Sequence, residues 1–355
     1  MTFSAADQEY MVRALRLAAQ GLNTTTPNPR VGCVLVKDGV VVGEGWHERA
    51  GEPHAEINAL RRAGDAARGA IAYVTLEPCS HHGRTPPCTE ALVEAGIVRV
   101  VAAMRDPNPL VAGEGFAQLM LAGVDVESGL MEDDARKLNV GFVSRMTRGR
   151  PWIRLKVAAS LDGKTALMNG RSQWITGPEA RRHAHGWRAR SCAIMTGSGT
   201  VVDDDPSLTV REVPCARQPL RVIVDGRLQT PPMAKVLAGG GTLVFSAMDG
   251  TLPGADLVVM PTSSGKVDLL GVVSELARRG INELLVEGGA RLNGALMRAG
   301  LVDELLIYQA PMLLGDQARG MFDLPELVDL EQARRLEVVE RRALGPDIFL
   351  RARFR

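Results

Sequence analysis

The sequence lacks a long apolar run, is poor in aromatic residues and carries almost no net charge. No apolar run approaches the roughly 18 residues of a membrane-spanning helix, so we expect no membrane partner. Aromatic residues make up 4% of the 355 residues, and the formal net charge is +1. Domains that bind nucleic acid phosphates usually have a clear basic excess. The composition therefore argues against a nucleic acid partner.

Signs of export and of a disulfide framework are also missing. The stretch that ends at Gly21 has early acidic residues and no apolar core of a signal peptide, and it predicts an amphipathic helix. An odd number of widely spread cysteines is not typical of a disulfide framework. They are Cys33, Cys79, Cys88, Cys192 and Cys215. We therefore expect a reduced, cytoplasmic protein in which clustered cysteines bind metal or take part in catalysis.

The length and the order of predicted elements indicate two α/β domains. A chain of 355 residues is too long for one ordinary core. Helices and strands alternate around a mixed sheet in the first part, which predicts an α/β sandwich. A helix predicted over about residues 132–145 ends in a basic stretch with glycine and proline, and the alternation then restarts. We place the first domain at 1–146, a linker at 147–151 and the second domain at 152–355.

The first domain contains an ordered set of metal-binding residue types. His54, Ala55 and Glu56 open a predicted helix, and Pro78 directly precedes Cys79 at the end of a buried strand. Cys88 begins another predicted helix. The pattern H-x-E…P-C…C is similar to that of zinc nucleobase deaminases, which read H-x-E…P-C-x-x-C. We predict one Zn²⁺ per chain, held by His54, Cys79 and Cys88.

Such a site would suit hydrolytic deamination. A catalytic zinc keeps one position for water and lowers the pKa of that water towards neutrality. A nearby carboxylate that is not a ligand must then carry protons, which predicts Glu56 as the catalytic acid and base. Two helix N-termini that face one point would also favour thiolates.

Other readings of this pattern remain open. A structural zinc usually has four protein ligands, and His81 or His82 could supply the fourth. A nucleic-acid-editing deaminase would share the zinc motif, although the near-neutral charge speaks against it. In a non-enzymatic interaction module stabilised by zinc, Glu56 would have no catalytic role. Bound nicotinamide cofactor would distinguish that module from an enzyme.

Two glycine-containing turns follow predicted strands in the second half. Gly288 and Gly289 come after ELLVE and precede a helix from Ala290, and residues 196–200 read TGSGT after the strand SCAIM. Small residues at such turns let a phosphate approach backbone N–H groups. A G-x-G-x-x-G fingerprint is absent, so a standard Rossmann site is not expected. Two such turns on successive strands favour a nucleotide crevice.

Eight residues separate Cys79 from Cys88, where the common deaminase pattern has two, and this long insert resembles one particular family. The stretch LEPCSHHGRTPPC, with TTPNPRVGCVLV and GEPHAE before it, resembles the bifunctional riboflavin-biosynthesis deaminase/reductases. The resemblance continues in the second half through KVAASLDGKTA, SQWITG, DDPSLTVR and VEGGARLNGALMRAGLVDEL. It covers nearly the whole chain in order.

The resemblance implies a cytidine-deaminase-like α/β/α sandwich followed by a dihydrofolate-reductase-like domain that binds NADPH. The implied cofactor contacts are Ala158, Trp174, Thr200, Asp204, Gly289, Ala290, Arg291, Leu292, Asn293, Gly294 and Ala295. The implied substrate contacts are Ser172, Arg188, Leu208, Arg211 and Glu287. The two arginines could hold a substrate phosphate by paired hydrogen bonds. Read without the family, Arg188 is a solvated residue of an Arg- and His-rich helix.

The resemblance also implies the reactions. The first domain would deaminate 2,5-diamino-6-ribosylamino-4(3H)-pyrimidinone 5′-phosphate, and the second would reduce its ribosyl group to a ribityl chain with NADPH. Asn28, His47 and Arg84 are plausible contacts of the pyrimidine or ribose, and Lys156 is a cation near both ligands of the second domain. We expect a homo-oligomer that acts on a small phosphorylated pyrimidine.

Overall fold

The computed structural model describes residues 3–81, 86–109, 111–262 and 264–354. The chain divides into two compact units, residues 1–149 and 150–355. No helix in the part of the chain so described is long and apolar enough to cross a membrane.

The first unit is built on a five-stranded mixed sheet with the order β2-β1-β3-β4-β5. The strands are β1 (Gly32–Lys37), β2 (Val40–Trp46), β3 (Ile71–Val74), β4 (Arg99–Ala102) and β5 (Asp125–Ser128). β1 and β2 pair antiparallel as a hairpin, and both turn residues, Asp38 and Gly39, have positive φ. β3, β4 and β5 run parallel, so their carboxyl ends lie at one edge.

Helices cover both faces of this sheet. They are α1 (Ala5–Gln20), α2 (Ala55–Ala63), α3 (Cys88–Glu94), α4 (Glu114–Leu121), α5 (Glu132–Leu138) and α6 (Val140–Arg148). One apolar core contains Leu35, Ala59 and Leu92, and the other contains Met11, Val34 and Tyr73. Since alternate β1 residues enter opposite cores, the predicted α/β sandwich is confirmed.

The single helix predicted over residues 132–145 is wrong, because the chain forms α5 and α6 with Asn139 between them. The buried side chain of Asn139 accepts a bond from the Arg30 backbone N–H (2.8 Å) and donates to the Arg30 carbonyl (2.9 Å). This clamp coincides with a non-helical φ of −105° at Asn139. α6 continues through Met146 to Arg148, into the stretch expected to form the linker.

The second unit contains a nine-stranded sheet with the order β11-β10-β9-β8-β12-β6-β13-β16-β15, and a small β14-β7 sheet. The strands are β6 (Trp152–Ser160), β7 (Lys164–Ala166), β8 (Ala193–Gly197), β9 (Leu220–Val224), β10 (Thr242–Ser246), β11 (Asp256–Val259), β12 (Glu283–Val286), β13 (Glu304–Ala310), β14 (Arg319–Gly320), β15 (Leu336–Leu344) and β16 (Asp347–Phe354). β15 and β16 pair antiparallel at one end of the large sheet.

The helices of the second unit pack on both faces of the large sheet. They are α7 (Pro178–Arg190), α8 (Ser198–Asp204), α9 (Leu269–Arg278) and α10 (Ala290–Arg298). Leu284 and Leu285 are adjacent on β12 and enter different apolar cores. β8 and β12 are neighbouring parallel strands, so the two predicted glycine turns lie side by side.

Candidate active sites

His54, Cys79 and Cys88 come together in the first unit. Their ligand atoms all lie within 4.8 Å of one another. His54 Nδ1 lies 3.3 Å from Cys88 Sγ and 3.5 Å from Cys79 Sγ. His54 is the residue before α2, and Cys88 is the first residue of α3. The Cys88 backbone N–H donates to Cys79 Sγ at 3.4 Å.

This donor set fits a zinc ion. A tetrahedral zinc with usual Zn–N and Zn–S bonds would place such donors about 3.6 Å apart, close to the observed separations. The neighbouring Cys88 thiol and His54 lower the pKa of Cys79 to about 4, against the effect of burial. Interaction with the Cys79 sulfur and burial raise the pKa of Cys88. The pair without a cation thus shares one negative charge, and a bound cation would favour the second thiolate.

Glu56 lies beside this group in the first turn of α2 and is only 3% exposed. Burial raises the pKa of its carboxyl to about 7, with a further contribution from the negative Cys79 sulfur that outweighs His54. A carboxyl with a pKa near neutrality can both take up and release a proton in this range.

The aromatic ring of His47 packs on the metal group from the side of β2. The His47 and His54 ring centroids are 5.3 Å apart in an edge arrangement. The Asn28 side-chain nitrogen lies 3.1 Å from His47 Nε2, and the Pro53 carbonyl lies 3.1 Å from His47 Nδ1. Burial lowers the pKa of His47, which favours the neutral ring. Asn28 and His47 are therefore held next to the metal group, as a substrate contact would require.

The remaining residues singled out in this domain are exposed, buried outside the metal group or not among the described residues. His81 is exposed and does not belong to the metal-binding group found among the residues described. His82 and Arg84 lie outside the described residues. Cys33 is buried on β1, and its pKa is raised by burial.

The predicted crevice of the second unit forms where the glycine turns meet. A Cβ placed on Gly289 would lie 3.6 Å from Thr200 Oγ1, and one on Gly197 would lie 3.7 Å from Leu292. Gly289 is the residue before α10, so the first N–H groups of this helix face the turn. The structure therefore brings Thr200 close to the start of the segment 289–295.

The members of this segment do not all face the same way. Asn293 is buried and donates to the Met321 carbonyl at 3.1 Å. Gly294 packs so closely on Asp323 that an added Cβ would lie 2.0 Å from the Asp323 carbonyl oxygen. Arg291 is exposed, whereas Ala290, Leu292 and Ala295 are half-buried. The helix start is thus open, and its next turn packs against residues 321–323.

Glu287 follows β12 and lies among cations. Arg188 Nε and Nη2 donate to its two carboxylate oxygens at 2.6 and 2.9 Å. Lys156 Nζ lies 3.5 Å from Glu287 Oε2. Burial alone would raise the pKa of Glu287, but Arg188 and Lys156 outweigh it and hold this pKa well below its usual range. The interpretation of Arg188 as a solvated arginine is wrong, because its side chain is only 14% exposed.

Several other predicted contacts lie around short loops of this unit. Ser172 Oγ donates to Asp204 at 2.7 Å, and Trp174 is exposed with Arg181 over its ring. Both Ser172 and Asp204 line a cavity of about 420 Å³ with residues 169–173 and 203. The exposed Arg211 donates to Thr209 Oγ1 at 2.9 Å.

The two remaining predicted contacts of the second unit are a buried residue with positive φ and a residue within a strand. Leu208 is buried and has a φ of 49°. Ala158 is half-buried on β6 and pairs with Tyr308 of β13.

Two features of the sites were not predicted from the sequence. Glu77 accepts three backbone N–H bonds two residues before Cys79, and Thr89 Oγ1 donates to Gln118 Oε1 beside Cys88. The position of Glu77 between a buried strand and Pro78 is a weak signal for a buried carboxylate. Its donors lie 29–38 positions further on, so only the tertiary structure reveals them.

Both units match known families. Residues 4–104 match the cytidine and deoxycytidylate deaminase zinc-binding region, and residues 151–350 match the RibD C-terminal domain. The riboflavin biosynthesis protein RibD of Escherichia coli (strain K12) is 51% identical, over 97% of this chain and 98% of the relative. The same protein of Haemophilus influenzae is 48% identical, over 99% and 98%.

Solved structures agree over nearly the full length. Form 1 of Acinetobacter baumannii RibD is 45% identical with a TM-score of 0.94, and 99% of each chain is covered. The Thermotoga maritima diaminohydroxyphosphoribosylaminopyrimidine deaminase/5-amino-6-(5-phosphoribosylamino)uracil reductase is 33% identical with a TM-score of 0.89, again with 99% of each chain covered.

The fold and the sites define a two-domain enzyme in which a cytidine-deaminase-like, zinc-binding domain precedes a reductase domain. The chain belongs to the RibD family of bifunctional deaminase/reductases of riboflavin biosynthesis. The two domains support Zn²⁺ and NADPH as its cofactors. The predicted fold class, function and cofactors are therefore confirmed.

Proposed function

We propose that the first domain removes the 2-amino group of 2,5-diamino-6-ribosylamino-4(3H)-pyrimidinone 5′-phosphate, and that the second reduces the ribosyl group of the product to ribityl with NADPH. The Thermotoga maritima relative is named for these two activities on phosphoribosylaminopyrimidines. The first site contains the zinc-type donors and the carboxyl that hydrolytic deamination needs, and the second contains glycine turns that suit the phosphates of a dinucleotide.

The observation that carries the proposal is the buried Glu56 beside three zinc-type donors. His54, Cys79 and Cys88 would hold the ion, which when bound makes a water molecule more acidic. Glu56 takes one proton from the attacking water and delivers it to the ring nitrogen, and then carries the hydroxyl proton of the added oxygen to the leaving amino group. Water oxygen replaces nitrogen at carbon 2, and ammonia leaves. Asn28 and His47 would contact the pyrimidine from the neighbouring loop and strand.

In the second domain, Glu287 would act as a fixed anion. Its pKa is held low by Arg188 and Lys156, so it accepts hydrogen bonds from sugar hydroxyls and does not exchange protons near neutrality. The pairing of Arg188 with Glu287 leaves the exposed Arg211 as the better placed of the two arginines for the substrate phosphate. Arg188 would then bind substrate by way of the carboxylate it holds. Ser172 and Leu208 would complete the substrate side.

NADPH supplies a hydride when it is bound, and the glycine turns would hold its phosphates. Thr200, Gly289 and the first N–H groups of α10 form the open part of this surface. The proposed contacts also include Ala158, Trp174, Asp204 and residues 290–295. We propose the catalytic domains at 1–146 and 152–355, with 147–151 between them.

Product identification tests the proposed reactions. The purified, zinc-loaded chain is incubated with the diaminopyrimidine phosphate, with and without NADPH, and the products are identified by mass. We expect the deaminated ribosyl compound without NADPH and the deaminated ribityl compound with it. An unchanged substrate mass in both incubations would contradict the proposal.

We further propose that the protein is cytoplasmic and that it forms a homo-oligomer. Its small-molecule partner would be the phosphorylated pyrimidine. Support comes from the free cysteines and from β15, which ends the large sheet and exposes Leu336 and Val338. An open sheet edge with apolar side chains favours pairing between chains. Light scattering that gives the mass of a single chain at micromolar concentration would contradict the oligomer.

A further inference from the structure

Glu77 uses both carboxylate oxygens to hold one loop and the start of one helix. Its Oε2 accepts the backbone N–H groups of Asp106 and Gly113, both at 3.0 Å. Its Oε1 accepts the N–H of Gly115 at 2.9 Å. The side chain is 5% exposed, so water does not compete freely for these bonds. The carboxylate therefore holds the two ends of the loop after β4 together. It also caps α4, whose N-terminus attracts negative charge.

The same contact holds the loop against the backbone that leads into a metal ligand. A Cβ on Gly115 would lie 2.1 Å from the Pro78 carbonyl oxygen, so only glycine allows this approach. Further along α4, Gln118 accepts from Thr89, which also donates to the Cys79 carbonyl at 3.3 Å. α4 is thus tied to the Cys79 segment at two points.

The loop that Glu77 holds lies at the metal-binding edge of the sheet. β3 leads into Glu77 and Cys79, and the parallel β4 leads into Asp106. Ligands of such sheets bind at the carboxyl ends of neighbouring strands. Asp106 is half-buried there. Burial is the main cause that raises the pKa of its carboxyl, and the charges of Glu77, His81 and Cys79 also affect this pKa. The loop therefore forms part of the wall beside the metal group.

We propose that Glu77 is a positioning residue for deamination, which fixes the backbone at Asp106, Gly113 and Gly115 as part of the wall of the pyrimidine pocket. It does not touch the substrate or the zinc. The inference rests on the proposed deamination. Its loss should weaken productive substrate binding more than it affects the chemical step, because α2 and α3 hold His54, Glu56 and Cys88, and the Cys79 carbonyl also accepts from the Thr89 backbone N–H.

Glu77→Gln is the central variant. The amide offers one acceptor and places an NH₂ donor against at least one backbone N–H, although its shape is almost the same. Apparent KM for deamination should rise about tenfold or more, as expected when buried donors lose their acceptor. kcat should change by less than about threefold, and zinc content should be unchanged. Amide hydrogen exchange over residues 105–117 should become faster.

Two further variants keep the test informative. Glu77→Asp retains the charge but is shorter, and should give an intermediate KM. Gly115→Ala places a methyl group against the Pro78 carbonyl oxygen and so disturbs the same contact from α4. It should raise KM even if Glu77→Gln folds poorly.

Asp7→Asn is the matched control. Asp7 is a buried carboxylate of the same domain that accepts bonds from Ser4 and Tyr73 at the start of α1. Its loss should lower the melting temperature while KM stays within twofold of wild type. An equal rise in KM in this control would reduce Glu77 to a general stabiliser and overturn the inference.

The outcomes separate the inference from the proposed function. Faster exchange with unchanged KM in an active Glu77→Gln enzyme would overturn the positioning role. Zinc loss from this variant would also overturn it. A wild-type chain that does not deaminate would refute the proposed reaction, and unchanged exchange over 105–117 in Glu77→Gln would refute the anchoring itself.

Discussion

Each domain buries a glutamate at its site, and the two have opposite electrostatic settings. Among the residues that the structure describes, no arginine or lysine pairs with Glu56, and burial raises its pKa to about 7. Glu287 is paired with Arg188 and Lys156, which hold its pKa low although burial opposes them. The comparison shows that burial alone does not decide the role of a carboxyl. Arginine and lysine partners hold Glu287 as a fixed anion, whereas Glu56 lies beside the three zinc-type donors.

The metal group is where the largest effect is expected. Cys88→Ser removes a soft donor that the ion needs, so zinc should be largely lost and deamination with it. Reduction of separately supplied deaminated substrate should persist. Metal analysis and both assays check this. Cys33→Ala is the control, since Cys33 is buried in the same domain outside the metal group. Full zinc retention by Cys88→Ser would point to His81 or His82 as a ligand.

The ion pair between Arg188 and Glu287 in the second domain can be broken by replacing the arginine. Arg188→Met leaves the mostly buried Glu287 with Lys156 alone, and should lower the free energy of unfolding by about 3 kcal/mol. The double variant Arg188→Met/Glu287→Gln should regain part of this loss, because the buried carboxylate is then neutral, although Lys156 loses its partner. Denaturant unfolding of the three proteins gives the answer. Equal stabilities of the wild type and Arg188→Met would show that the pair does not stabilise the fold.

A smaller effect is expected at the proposed phosphate contact. Arg211→Ala should weaken substrate binding in the reduction by about 2 kcal/mol, the scale of a charge-assisted hydrogen bond. Deamination should remain nearly intact because its site lies in the other domain. Steady-state kinetics of each half-reaction check this, with the exposed Arg227 as a control (Arg227→Ala). Equal loss of both activities would contradict the separate sites.

Sequence patterns were sufficient for the features that depend on local order. His54 and Cys88 lie at the starts of helices, and Cys79 follows β3, so a short-range pattern and the family resemblance identify the donors. The turns at Gly197 and Gly289 follow buried strands in the same way. In each case the residue type and its local element already indicate the chemistry.

The remaining features depend on contacts between distant segments. Arg188 and Glu287 are 99 positions apart, and no local pattern distinguishes this buried arginine from a solvated one. Asn139 divides a predicted helix because it bonds to Arg30, 109 positions away. Glu77 receives its donors from a later loop. These contacts become visible only when the chain is folded.

A crossed assay of Glu56→Gln and Glu287→Gln tests the central comparison most directly. Both variants are nearly isosteric, and deamination and reduction are measured separately with zinc-loaded protein. Glu56→Gln should lower deamination by at least about 10²-fold, the usual scale for general acid–base catalysis, and leave zinc content and reduction unchanged. Glu287→Gln should weaken reduction and leave deamination unchanged. Deamination at the wild-type rate in Glu56→Gln, or parallel loss of both reactions in either variant, would contradict the account.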